Sequence, residues 1–249
     1  MLADAGGTAR ARLLSISLVL VIAWMAYLLD RVKPLARWRD PADCMANPRR
    51  DAWVAQHRRA LLVCTTVLAA AATVLAMVIE PWLALLVPAG LAAVVIYGSR
   101  PTASRRVRPK DVLLAKNLLT GLAYATLIGC VLWAALPEAK GLWRALAVVG
   151  LLVTGDAMLC DIDDTPSDAT FGTTTVAVLA GRRWATALAM AVYVAAIMLW
   201  LAPGGRALAE ASFALGMPIT GLASLRLARV RTAIDLRGGV LGLFAVLLF

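Results

Sequence analysis

The stretch LWRALAVVGLLVTGDAMLCDIDDTPSDATFGTTTVAVLAG, Leu142 to Gly181, joins two kinds of sequence that seldom adjoin. Its first part, Leu142–Cys160, is apolar apart from Arg144, Thr154 and Asp156. A run of that length is long enough to cross the hydrocarbon of a bilayer as an α-helix. Directly after it come four aspartates within eight residues: Asp161, Asp163, Asp164 and Asp168. A membrane helix that ends in clustered acid sets both questions the chain poses, how many such helices it has and what the acids are for.

Working outward, runs of the same kind recur. Spans are expected at 13–29, 60–79, 82–97, 117–136, 142–160, 184–202, 207–225 and 233–249. The last two are interrupted by Pro218, Asp235 and Arg237. Composition agrees: 61% of the 249 residues are hydrophobic and the mean hydropathy is +0.80, whereas a soluble domain is only about half apolar. A membrane barrel would show short alternating segments, and these runs are unbroken. The expected fold is therefore all-α: residues 1–249 as one polytopic transmembrane domain of about eight helices, in two four-helix halves around a central cavity. Arg10 and Arg12 precede the first run as they would in a signal peptide. No small-residue cleavage site follows it, so it is read as a retained helix.

The 25 Lys and Arg outnumber the 15 Asp and Glu, giving a net charge of +10. On a soluble protein that excess would suggest nucleic acid; here it is read as loop charge that sets topology and meets anionic lipid headgroups. If the loop after the first span is cytoplasmic, nineteen of the 25 fall in inside segments. Both termini are then expected outside, in a multi-pass protein of a bacterial inner membrane. The four cysteines are scattered and suggest neither a disulfide framework nor zinc. His57, in a basic segment, is read as solvated or facing headgroups.

Under that topology Asp30, Asp156, Asp161, Asp163, Asp164, Asp168 and Asp235 all lie toward the cytoplasmic ends of their spans or just beyond. Ionisable residues at such places are costly and mark function by default. Asp161, Asp164 and Asp168 stand at i, i+3 and i+7, which is one face of a helix. Carboxylates so placed repel one another unless cations neutralise them, and hard oxygen ligands suit Mg²⁺ bridged to a substrate phosphate. The same pattern also fits a solvated acidic loop. Asp156 is read either as lining a cavity or as a partner for a neighbouring helix. Asp30 ends the first span beside Arg31 and Lys33.

The run DIDDTPSDATFGTTTVAVLAG, Asp161 to Gly181, resembles the second aspartate-rich motif of the UbiA superfamily of intramembrane prenyltransferases. The matching residues are Asp161, Asp164, Asp168, Gly172, Thr174 or Thr175, and Gly181. YLLDRVKPLARWRD, with Asp30, resembles the family's first aspartate motif. RPKDVLLAKNLLTGLAYA, with Lys110, Lys116 and Asn117, resembles its basic loop and the helix start that follows. The resemblance implies a cytoplasm-facing site in which Asp30, Asp161, Asp164 and Asp168 hold Mg²⁺. In it Asp30, Asp164 and Asp168 are catalytic, and Lys110, Lys116, Asn117 and Arg31 bind the diphosphate of a polyprenyl donor. Diphosphate would leave and the prenyl group would pass to a small aromatic or lipid acceptor.

The chain departs from the family pattern in several places. Ala26 and Pro34 stand where the first motif has Asn and a last Asp, and Cys160 replaces an Asn before Asp161. The family usually has nine spans, with its first motif after the second. Two related alternatives are a UbiA-type terpene cyclase and a non-catalytic relative that binds a polyprenyl lipid. A proton-coupled transporter is disfavoured, because the acids lie at helix ends rather than at the bilayer midplane.

Overall fold

The computed structural model describes residues 2–32, 44–45, 48–98, 112–135 and 142–201. All the elements among them are helices, without a strand. In chain order these are α1 (Leu2–Val32), α2 (Pro48–Gln56) and α3 (Arg58–Ile79), then a 3-10 helix at Pro81–Leu85 leading into α4 (Leu86–Gly98). There follow α5 (Ala115–Ala135), α6 (Leu142–Phe171) and α7 (Val176–Leu201).

Among the described residues, five stretches are long and apolar enough to cross a membrane: Leu13–Val32, Arg58–Ile79, Ala115–Ala135, Leu142–Phe171 and Val176–Trp200. Pro81–Tyr97 is apolar but shorter. The chain is thus a multi-pass integral membrane protein, all-helical among the described residues. Of the eight expected spans, those at 207–225 and 233–249 lie outside the described residues, as do Pro218, Asp235 and Arg237.

The outward surface has the character lipid requires. Leu13, Val74, Leu122, Leu179 and Met198 are each more than half exposed, a pattern that on a soluble protein would drive aggregation. The exposed Thr66 and Thr73 on α3 donate their hydroxyls to the carbonyls of Leu62 and Ala69, at 3.0 and 2.9 Å. Neither hydroxyl is therefore left without a partner in hydrocarbon.

Two expected boundaries are corrected. The helix after Leu142 does not end at Cys160 but runs on to Phe171, and the next begins at Val176 rather than Trp184. Pro166 lies inside α6 and has no N–H to give the carbonyl of Ile162. Thr165 Oγ1 donates to that carbonyl instead, at 3.0 Å, so the helix survives its proline. It stops at Gly172, whose φ of 75° is open to glycine, with Thr173 N–H bonded back to the Asp168 carbonyl at 2.9 Å. That is a Schellman closure. Thr175 then caps α7, its hydroxyl accepting from the N–H of Val178 at 3.2 Å.

The residues fall into two compact units, Met1–Lys110 with Thr126–Leu142, and Asp111–Ala125 with Trp143–Phe249. In the first unit, α1 buries Ser15, Leu18, Ile22, Met25, Leu29 and Val32. Their alternating spacing of three and four is a heptad stripe. Leu18, Ile22 and Met25 pack with Ala72 and Ala76 of α3 and with Leu83, Val87 and Val131. In the second unit, Val148, Leu152, Met158, Leu159 and Ile162 of α6 pack with Ala185, Ala189, Tyr193 and Ala196 of α7. Small residues at four-residue spacing let helices approach closely where lipid supplies no hydrophobic drive between them.

A close approach in the second unit lies between α5 and α6. A Cβ added at Gly121 would collide with Thr154 Oγ1 and the Gly150 carbonyl, whereas one added at Gly150 would meet Ala125 Cβ at an ordinary 3.5 Å. Gly121→Ala is therefore expected to destabilise the protein by about 1–3 kcal/mol, the usual cost of overpacking, and Gly150→Ala to be close to neutral. Thermal unfolding of the two variants in detergent checks this; equal melting temperatures would refute the close crossing.

Candidate functional site

The second unit gathers the chemistry. Because α6 continues through the acidic run, Asp161 and Asp168 lie two turns apart on one face, and both are buried. Across from them is the first turn of α5, which carries Lys116 and Asn117. Lys116 Nζ lies 2.6 Å from Asp161 Oδ1 and 3.9 Å from Asp168 Oδ2. Asn117 Nδ2 donates to Asp161 Oδ2 at 2.9 Å. One lysine thus spans the i, i+7 pair, and both oxygens of Asp161 are engaged.

Local structure holds this arrangement. Leu114, immediately before α5, has φ 63°, a left-handed backbone that a bulky residue adopts only under constraint. Its side chain packs against the core of the second unit. The Leu118 N–H bonds to the Leu114 carbonyl at 2.9 Å, and Thr120 Oγ1 donates to the Lys116 carbonyl at 2.8 Å. The Gly121 crossing lies one turn further along α5 and brings the α5 backbone close enough for Asn117 to reach Asp161.

Asp164 is half-buried on α6, and its carbonyl accepts from Ser167 Oγ at 2.8 Å. Asp163 is half-buried as well. Asp156 proves to be a helix–helix partner: Tyr193 of α7 donates its hydroxyl to Asp156 Oδ1 at 2.5 Å. Tyr193 is fully buried and lies against Gly155, where a Cβ would strike its ring. Sequence reasoning did not single out Tyr193; its signal is a lone phenol in an apolar helix, whose hydroxyl needs a partner in lipid.

The remaining expected site residues are placed otherwise. Asp30 and Arg31 belong to the first unit, in the last turn of α1. Arg31 Nε is 3.9 Å from Asp30 Oδ2, and the guanidinium lies over the Tyr27 ring, 5.1 Å from its centre. Lys110 lies outside the described residues.

Among the described residues, no three His, Cys, Asp or Glu side chains converge as a metal cage. Mg²⁺ does not need one, since it keeps its waters and takes one or two carboxylates together with substrate phosphate. Asp164 and Asp168, one turn apart, meet that smaller requirement in kind and number.

The side chain of Asp161 is only 4% exposed and that of Lys116 22%. Removing one member of such a pair strands the other charge. Lys116→Met is expected to destabilise the protein by about 3 kcal/mol or more, and Lys116→Met with Asp161→Leu to recover part of the loss. A double-mutant cycle by chemical unfolding in detergent measures the coupling; additive losses would mean that the two residues do not interact.

Compared with protein-family models, curated proteins and solved structures, the chain matches none of them.

Proposed function

We propose that the protein is a Mg²⁺-dependent prenyltransferase of UbiA type, moving a prenyl group from a polyprenyl diphosphate to a small aromatic or lipid acceptor. The observation that carries this reading is the buried acidic face of α6, Asp161 and Asp168 with Asp164 between them, faced by Lys116 at the end of an apolar helix. A substrate with a diphosphate head and an apolar tail needs both features at one place. The UbiA-like arrangement proposed with it has eight helices in two four-helix halves, in a bacterial inner membrane with the site toward the cytoplasm.

Each residue has a part in this reading. Asp164 and Asp168 would hold the metal, which when bound supplies charge neutralisation to the departing diphosphate. Lys116 offers a second cation to the same phosphate oxygens. Asn117 and Lys116 fix the orientation of Asp161, which ties α6 to the start of α5. The apolar helix faces accept the prenyl tail and keep water from the reacting carbon. A terpene cyclase would use the same ionisation and release a cyclic product without an acceptor.

A second reading, a non-catalytic protein that binds a polyprenyl lipid, is favoured by one observation: both oxygens of Asp161 are already engaged by protein groups. Purified protein incubated with farnesyl or geranylgeranyl diphosphate separates the two. Under the first reading, diphosphate is released with Mg²⁺ and not after chelation. Asp164→Ala or Asp168→Ala then lowers the rate by about 100-fold or more, the scale of losing a principal electrostatic contact. Binding without release in the wild type would refute the enzyme and support the lipid-binding reading. Asp30→Ala in the same assay reports whether the first unit takes part.

A further inference from the structure

The segment that enters the second membrane-spanning helix has a chemistry the proposed reaction does not use. It reads PRRDAWVAQHRR, Pro48 to Arg59, with four arginines to one acid. It forms α2, the junction residue His57 and the first two residues of α3, and α2 has no buried residue. His57, with φ −100° and ψ 13°, separates the two helices, and its N–H still bonds back to the Trp53 carbonyl at 3.0 Å. Arg49, Trp53 and His57 therefore stand at i, i+4 and i+8, in one stripe. The Trp53 and His57 rings are stacked, with centroids 4.5 Å apart and planes at 26°. His57 Nδ1 lies 2.9 Å from the Trp53 carbonyl oxygen. Trp53 remains 52% exposed, and Arg49, Arg58 and Arg59 are exposed as well.

The depth of this stripe follows from the span beside it. The apolar run of α3 begins at Ala60, directly after Arg58 and Arg59. At ~1.5 Å per residue, His57 stands about 5 Å before that run, and Trp53 lies one turn further out on α2. The polar layer of a bilayer leaflet is about 5–8 Å deep. His57 and the paired arginines thus fall within that layer, with Trp53 at its outer edge and Arg49 beyond it. Tryptophan is favoured at this depth for its amphipathic ring. The arginine fork matches a phosphate oxygen pair, and basic residues gain from anionic lipid.

We propose that the Trp53–His57 stack, with Arg49, Arg58 and Arg59, is a binding surface for the headgroups of anionic phospholipids. The stack supplies a fixed aromatic surface beside the headgroup, and the arginines before and after it engage the phosphate. The site is independent of the acidic face of α6 and of any reaction there.

The test uses the full chain in neutral detergent and native mass spectrometry after addition of equimolar phosphatidylglycerol and phosphatidylcholine. The wild type is expected to retain phosphatidylglycerol several-fold over phosphatidylcholine. Trp53→Ala and the double variant Arg49→Gln/Arg59→Gln should lose most of that preference. Arg182→Gln/Arg183→Gln, which removes the same charge elsewhere, should keep it, and inorganic phosphate should not displace the lipid. Circular dichroism and gel filtration confirm that each variant is folded. No preference in the wild type, an equal loss in the Arg182/Arg183 variant, or displacement by phosphate would each overturn the proposal.

Discussion

A carboxylate in a membrane helix must be neutralised by something within reach, and for Asp161 that something is the side-chain pair Lys116 and Asn117. Little else in the second unit is free to vary once this is met. Lys116 and Asn117 must sit on adjacent residues at the start of α5, and α5 must come close to α6, which the absence of a side chain at Gly121 permits. The helix that bears Asp161 must persist past the acid, because only a continuous helix also brings Asp168 within reach of the same lysine. The strained Leu114 backbone lies at the entry to α5, two residues before Lys116.

The two units solve the packing of apolar helices differently. In the first, α1 offers a heptad stripe of large side chains to the alanines of α3. In the second, alanines of α7 and glycines of α5 and α6 bring backbones together, and the polar contacts are concentrated at the crossings. Lipid is as apolar as leucine, so burial alone stabilises neither arrangement much. Shape carries the first unit; shape and hydrogen bonding together carry the second.

Helix positions were legible because hydropathy over a span-length window leaves few alternatives, and the runs at 13–29, 60–79, 117–136 and 142–160 each find a helix. The end of α6 was not legible. Four aspartates and a proline read as a loop, and the two devices that keep the helix going, the Thr165 hydroxyl on the Ile162 carbonyl and the Gly172 closure, work through single hydrogen bonds that composition does not register. Asp161, Asp168, Lys116 and Asn117 were each picked out, but as ligands of a metal and a diphosphate. That they bind one another depends on a helix crossing set by Gly121 and Gly150, and no local pattern reports it. Asp156 had two readings of equal standing, and Tyr193 decided between them from 37 residues away.

The lysine of the central pair is made before the aspartate, by 45 residues. During synthesis α5 therefore leaves the ribosome ahead of α6, and Lys116 must wait without its partner. A lysine can do so, since its long stem lets the ammonium reach the interface from the end of a helix. An aspartate, with a single methylene, has no such reach. The order along the chain gives the waiting to the residue equipped for it, so that Asp161 arrives in the bilayer with its counter-charge already there.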